Sequence, residues 1–160
     1  MDFDYYGVQV ESLPPTETFD ERTGLRISCR ELGWQLSSLS QVFTSFFPSI
    51  HVVQHLYIYG FRELQWQDDI ENMQWLEFLH PFTAVKNLYL SKKFAQRMAP
   101  VLQELVEESV TDVLPALENL FLEELNPSGP VQEAIGQFVA ARQLLDHPVV
   151  VSRWNVTKEV

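Results

Sequence analysis

Three stretches of this sequence align without a gap at intervals of 32 residues. They are residues 51–58 (HVVQHLYI), 83–90 (TAVKNLYL) and 115–122 (PALENLFL). Internal repetition constrains a fold more than any other sequence feature, because each copy must adopt the same local structure and pack against its neighbours. The chain is therefore expected to be a stack of similar units.

Within each copy the apolar side chains follow the pattern apolar-x-x-Leu-x-apolar. Successive side chains of a strand point to opposite faces, so this spacing predicts one short strand per copy with its apolar side chains in one core. The pattern is the strand signature of a leucine-rich repeat. The expected inward positions are Val53, Leu56 and Ile58, then Val85, Leu88 and Leu90, then Leu117, Leu120 and Leu122.

The intervals between these strands show helical spacing of apolar residues. Helices are predicted over residues 33–47, 70–79, about 99–108 and 130–145, with Pro130 at a helix start and Pro100 near the start of another, close to Ala99. The expected buried stripes are Leu36, Leu39, Val42, Phe43 and Phe46; Ile70, Met73, Leu76 and Leu79; Met98, Val101, Leu102, Leu105 and Val106; and Val131, Ile135, Phe138, Val139 and Leu145.

Further strands are expected at residues 25–27 and 149–151, which keep the period of about 30 residues. The fold class is therefore α/β, a short leucine-rich-repeat-like horseshoe of alternating parallel strands and helices with four to five irregular repeats. Residues 1–24 are expected to be an acidic N-terminal extension or linker, and residues 25–160 the repeat domain. The period exceeds the ~20–29 residues of ordinary leucine-rich repeats. A small doubly wound α/β domain, which would show a reversal of strand order, stays open.

Charge excludes several classes of partner. The chain has 11 Lys and Arg against 22 Asp and Glu, a formal charge of −11. Such an excess disfavours nucleic acids and anionic membranes, which bind through basic side chains. Residues 98–141 hold eight acidic residues and no Lys or Arg, so we expect an acidic side on the folded body. A single cysteine, Cys29, and no secretory signal indicate an intracellular protein, cytoplasmic or nuclear.

Residues 75–91 (WLEFLHPFTAVKNLYLS), 114–123 (LPALENLFLE), 127–133 (PSGPVQE) and 138–143 (FVAARQ) carry a family resemblance. Over about residues 48–154 the chain resembles the C-terminal, leucine-rich-repeat-like region of fungal F-box-like proteins, especially those of basidiomycetes. The resemblance implies the substrate-recruiting part of a ubiquitin-ligase subunit. No F-box is recognisable in residues 1–47, so binding to the ligase adaptor is not expected.

The sequence contains no recognisable catalytic motif. The sequence has no glycine-rich phosphate loop, no Gly-x-Ser-x-Gly elbow and no His-Glu-x-x-His helix. Its four histidines and one cysteine fit no zinc spacing. We therefore expect a non-enzymatic protein-interaction module without cofactor or metal, with a protein as its partner. The alternatives are a small α/β enzyme and a truncated structural remnant with no dedicated partner.

Strand alternation also predicts a binding surface. If Leu56 and Ile58 point inward, the intervening positions point to the concave face. The candidate binding residues are His55, Tyr57, Tyr59, Asn87, Tyr89, Ser91, Asn119, Phe121 and Glu123. Tyr57, Tyr89 and Phe121 would lie side by side, and an exposed aromatic row has the composition of a binding hot spot. The alternative is lateral aromatic packing that supports the sheet, covered by the N-terminal segment.

Overall fold

The computed structural model describes residues 8–13, 24–29, 50–60, 72–108, 110–123 and 129–154. Within these ranges strands and helices alternate after two initial strands. The strands are β1 (Val8–Leu13), β2 (Gly24–Cys29), β3 (His55–Gly60), β4 (Asn87–Leu90), β5 (Asn119–Leu122) and β6 (Val150–Arg153). The α-helices are α1 (Asn72–Leu79), α2 (Lys92–Glu108) and α3 (Pro130–Leu144), and a 3₁₀ turn, Ile50–Val52, precedes β3.

All six strands form one sheet in sequence order. β1 and β2 are antiparallel, and the four pairings from β2–β3 to β5–β6 are parallel. This confirms an α/β fold with alternating elements. The described strands show no reversal of order, which a doubly wound sheet requires. β1 lies within residues 1–24 and was not predicted, whereas the helix predicted at 33–47 lies outside the described residues.

The 32-residue period reappears in the backbone hydrogen bonds. The N–H groups of Lys86 and Asn87 both donate to the carbonyl oxygen of Gln54. One period later, those of Glu118 and Asn119 both donate to the carbonyl of Lys86. Equivalent residues therefore pair in register, Leu56 with Leu88 and Leu88 with Leu120. Register matters because a slip of one residue would turn every apolar side chain to the opposite face.

One hydrophobic core lies between the sheet and the three helices. All nine strand-region positions predicted to point inward are buried, and they share a cluster with side chains of α1, α2 and α3. Full burial of such a side chain stabilises the fold by roughly 1.5–3 kcal/mol. A second column at the same period, which the sequence pattern did not reveal, consists of Ile50, Phe82 and Leu114, all buried.

The predicted stripe of α1 was partly wrong. Met73 is 61% exposed, and the buried face consists of Trp75, Phe78 and Leu79. The error has a geometric cause: residues spaced by three drift around a helix, and six residues at about 100° each put Met73 and Leu79 about 120° apart. The observed i, i+3, i+4 spacing keeps the two aromatic rings and Leu79 together. Ile70 lies outside the described residues.

The predicted start of α2 near Ala99 was also wrong. The helix begins at Lys92 and continues through Pro100, which lies inside it. An interior proline costs about 3 kcal/mol because it removes a backbone hydrogen bond. Phe94 and Met98 are both fully buried, and at roughly 1.5–3 kcal/mol each they offset that cost. The expected stripe from Met98 to Leu105 is buried as predicted, with Val106 partly buried.

Helix α3 begins at Pro130 as predicted. Ile135 and Phe138 are buried, and Val131 and Val139 pack partly against the core. Leu145 was wrongly assigned to the stripe, since it lies beyond the helix end and is 53% exposed. The last buried position of the helix is instead Arg142. The final strand exists as expected, although it begins at Val150 rather than at residue 149.

Candidate functional site

The sheet face opposite the core carries two rows of equivalent side chains, which we call the aromatic row and the amide row. The aromatic row is Tyr57, Tyr89 and Phe121, and the amide row is His55, Asn87 and Asn119. Both rows follow directly from in-register parallel pairing of β3, β4 and β5. The three rings are half-buried, in contrast to the fully buried leucines that alternate with them.

The rings of the aromatic row stack on one another. The centroids of Tyr57 and Tyr89 are 4.1 Å apart with planes inclined by 13°, and those of Tyr89 and Phe121 are 4.4 Å apart at 7°. Neighbouring strands lie about 4.8 Å apart, so identical positions on in-register strands impose this separation. Both faces of the Tyr89 ring are consequently covered by its neighbours, and the row presents ring edges outward.

The amide row is joined by side-chain hydrogen bonds. The side-chain amide of Asn119 donates to Oδ1 of Asn87 at 2.8 Å. The amide nitrogen of Asn87 lies 3.3 Å from Nδ1 of His55, and because an amide nitrogen can only donate, that imidazole nitrogen accepts. His55 is buried, and the two asparagines are half-buried. The row therefore ties three strands together on the side away from the core.

The remaining candidate residues, Tyr59, Ser91 and Glu123, come two residues after those of the aromatic row. Ser91 is buried: its N–H donates to the carbonyl of Ile58, and its own carbonyl accepts from Ala95 at the start of α2. Glu123 is exposed, and its Oε2 accepts the N–H of Lys92 at 2.8 Å. A carboxylate there accepts from the first N–H group of α2 and complements the helix dipole. The side chain of Tyr59 lies outside the described side chains.

Trp154 completes the site, although no candidate list drawn from the sequence included it. Its ring centroid lies 6.0 Å from that of Tyr57 and 5.6 Å from that of Tyr89, with planes inclined by 58° and 71°. A signal was available: extending the strand alignment to β6 pairs Leu122 with Arg153 and so places Trp154 beside Glu123. The backbone N–H of Trp154 donates to the carbonyl of Leu122 at 2.7 Å.

Arg142 is the second residue that the sequence did not single out. Its side chain is 0% exposed, and its guanidinium donates to the carbonyl oxygens of Val110, Leu114, Pro115 and Leu117 at 2.9–3.3 Å. Burial penalises the charged form and lowers the pKa of this guanidinium. Arg142 thus holds the loop before β5 in place, and with it the strand that carries Asn119 and Phe121.

Within the described ranges, no three histidine, cysteine or carboxylate side chains cluster closely enough to hold a metal ion. The acidic residues described between 98 and 141 lie at the surface or half-buried, and Glu118 forms an exposed ion pair with Lys86 at 3.6 Å. Such a pair contributes about 0–1 kcal/mol. In the part of the chain described, no helix is long and apolar enough to cross a bilayer.

Comparison with family models, with curated proteins and with solved structures finds no match to this chain.

Proposed function

We propose that this chain is a non-enzymatic protein-interaction module with leucine-rich-repeat-like horseshoe architecture, and that it binds a protein partner through the face formed by the aromatic and amide rows. One observation carries the proposal: three stacked rings and a hydrogen-bonded amide row lie on the sheet face away from the core. Aromatic side chains that are partly accessible supply large contact area at low conformational cost and are enriched at binding hot spots.

The proposal also covers the cellular role and location of the chain. The resemblance of residues 48–154 to fungal F-box-like proteins favours the substrate-recruiting part of a ubiquitin-ligase subunit. The single cysteine, Cys29, favours a cytoplasmic or nuclear location. Affinity purification from the native cell tests this role: a specific target protein should be recovered together with the chain, and recovery of ligase components as well would show that the chain reaches the ligase despite the missing F-box.

Site-directed photo-crosslinking tests the interaction face. Ser152 continues the aromatic row on β6, where it pairs with Phe121, and it is half-buried. A photoreactive amino acid at Ser152 should crosslink one defined protein. The same group at Gln137, on the exposed side of α3, is the matched control and should not capture that protein.

The double variant Tyr57→Leu, Tyr89→Leu adds the decisive comparison. Leucine keeps apolar bulk against the sheet but removes the stacked rings and hydroxyl groups. Capture from Ser152 should fall in this variant while the circular dichroism spectrum stays that of the parent chain. Equal capture from Ser152 and Gln137, or unchanged capture by the double variant, would contradict the proposal. A chain that never captures a partner would instead favour the structural remnant.

A further inference from the structure

The aromatic row is already covered by a ring of the chain itself. Both faces of Tyr89 lie against Tyr57 and Phe121, so Trp154 cannot reach either face. With its plane at 71° to that of Tyr89, the indole must lie across the edges of the rings. Edge-to-face contact is a favourable aromatic geometry. Trp154 therefore marks a place on this face that accepts an aromatic side chain.

The attachment of Trp154 differs from that of the core aromatic residues. Phe94 and Phe138 are fully buried within helices, whereas Trp154 is half-buried and lies one residue beyond the end of β6. Because β6 is the last strand in the sheet order, moving the ring away would leave the pairing of the other strands intact. Removal of this ring should therefore open the row without dismantling the core.

The charge of the two rows also limits which ligands this face can bind. The six side chains of the two rows carry no formal charge when His55 is neutral, as its accepting Nδ1 requires. A charged group placed over the centre of the rows, at Tyr89 and Asn87, would lose hydration with no counter-charge within the rows, which is costly. The nearest charged residues flank the rows: Arg26 is in register with Tyr57 on β2, and Glu123 comes two residues after Phe121. The amide row lies two residues along each strand from the aromatic row, about 6.6 Å away. A neutral extended segment could therefore present one aromatic side chain to the rings while its backbone passes the amides.

We propose that Trp154 is the displaceable occupant of the aromatic row, and that the protein partner supplies an aromatic side chain on a neutral, extended segment to the same place. The inference rests on the proposed function, whose partner it describes. It also assigns Trp154 a regulatory role, since the chain's own ring and the ring of the partner compete for one position. Trp154→Ala should then expose the position to an aromatic ligand in solution.

The test uses N-acetyl-tryptophanamide as the probe, titrated into chains with ¹³C-labelled tyrosine and followed by NMR. In Trp154→Ala the ring signals of Tyr57 and Tyr89 should shift saturably, with a Kd on the order of 10 mM. The wild-type chain should bind roughly tenfold more weakly because its own ring competes intramolecularly. N-acetyl-leucinamide is the control probe and should produce no saturable shift at these rings. If Trp154→Ala does not fold, Trp154→Leu takes its place.

Equal shifts in wild type and variant, or no saturation in the variant, would overturn the inference. Its failure is distinguishable from that of the proposed function. If Ser152 crosslinks a partner in the Trp154→Ala chain but N-acetyl-tryptophanamide, at concentrations above its Kd for that variant, does not reduce the capture, the aromatic anchor is wrong and the interaction face stands. If the probe binds Trp154→Ala and crosslinking captures no protein, the row accepts an aromatic ring but the proposed function fails.

Discussion

Replacing Arg142 by methionine should destabilise this protein far more than the same replacement of a solvent-exposed arginine. Arg142 is a buried residue near the C-terminal end of α3. Its guanidinium donates to four carbonyl oxygens in residues 110–117. Methionine has comparable length and fills the space, but it has no donor. The substitution therefore isolates the hydrogen bonds from the packing of the side chain.

The expected cost is about 3 kcal/mol in the free energy of unfolding. Four hydrogen bonds at about 1 kcal/mol each give a loss of about 4 kcal/mol. About 1 kcal/mol is regained because the variant no longer buries a charge. Leu114 gives a further reason for a large effect. It has a positive φ of 52°, and its carbonyl accepts one of the four hydrogen bonds. That conformation is strained for a branched side chain and needs surrounding contacts to persist.

Urea unfolding followed by far-ultraviolet circular dichroism measures the difference. With a slope of about 2 kcal/mol per molar urea, the midpoint should fall by about 1.5 M. Arg153→Met is the matched control, because Arg153 is exposed on β6, and it should change stability by less than about 0.5 kcal/mol. Arg142→Lys should recover only part of the loss, since a lysine lacks the planar fork of donors. A midpoint shift for Arg142→Met no larger than that of Arg153→Met would refute this reasoning.

The pH dependence of this effect has a definite sign. Burial lowers the pKa of Arg142 in the folded state, so the unfolded chain binds that proton more tightly. Stability from this group therefore rises with pH, but only in the strongly alkaline window between the folded and unfolded pKa values. The difference between Arg142→Met and the parent chain should accordingly be constant between about pH 6 and about pH 8. A change across that range would show that another titrating group contributes.

Three smaller stability effects follow from local geometry, each measured by urea unfolding. Asp146, just beyond α3, has a φ of 62°, and the N–H groups of Asp146 and His147 donate to the last carbonyls of the helix. Glycine adopts this backbone conformation without strain, so Asp146→Gly should stabilise the fold by about 1 kcal/mol. A destabilised variant would contradict this prediction. Gly136 lies exposed in α3 with open space around it; Gly136→Ala should stabilise by about 1 kcal/mol, and no gain would show that this helix position is strained. Asn87→Ala removes two hydrogen bonds of the amide row and should lower the free energy of unfolding by about 1–2 kcal/mol. That loss should be roughly twice the loss in Asn119→Ala, and equal losses would argue against a connected row.

The strand positions were predictable because they depend on a local rule. Alternation of side chains and an unbroken 32-residue spacing suffice to assign Leu56, Leu88 and Leu120 to one face and Tyr57 and Tyr89 to the other. The helices were less predictable because several registers satisfy a helical stripe in a short window. Met73 and Trp75 lie about 200° apart around the helix, so only one of them can face the core, and the choice depends on which one meets space in the neighbouring layer. Pro100 shows the same dependence, since burial of Phe94 and Met98 outweighed a local preference.

The sequence by itself determined the repeat, and with it the α/β alternation, the parallel register and the two rows of side chains on the sheet face away from the core. These features need only the period of the chain and the geometry of a strand. Tertiary structure alone decided that Ser91 is buried, that Glu123 caps α2, that Arg142 lies among carbonyls and that Trp154 covers the aromatic row. The contacts of Glu123, Arg142 and Trp154 join residues about 25 to almost 100 positions apart, so no local window of sequence contains both partners. Their partners are set by where the chain passes after each helix, which no local pattern encodes.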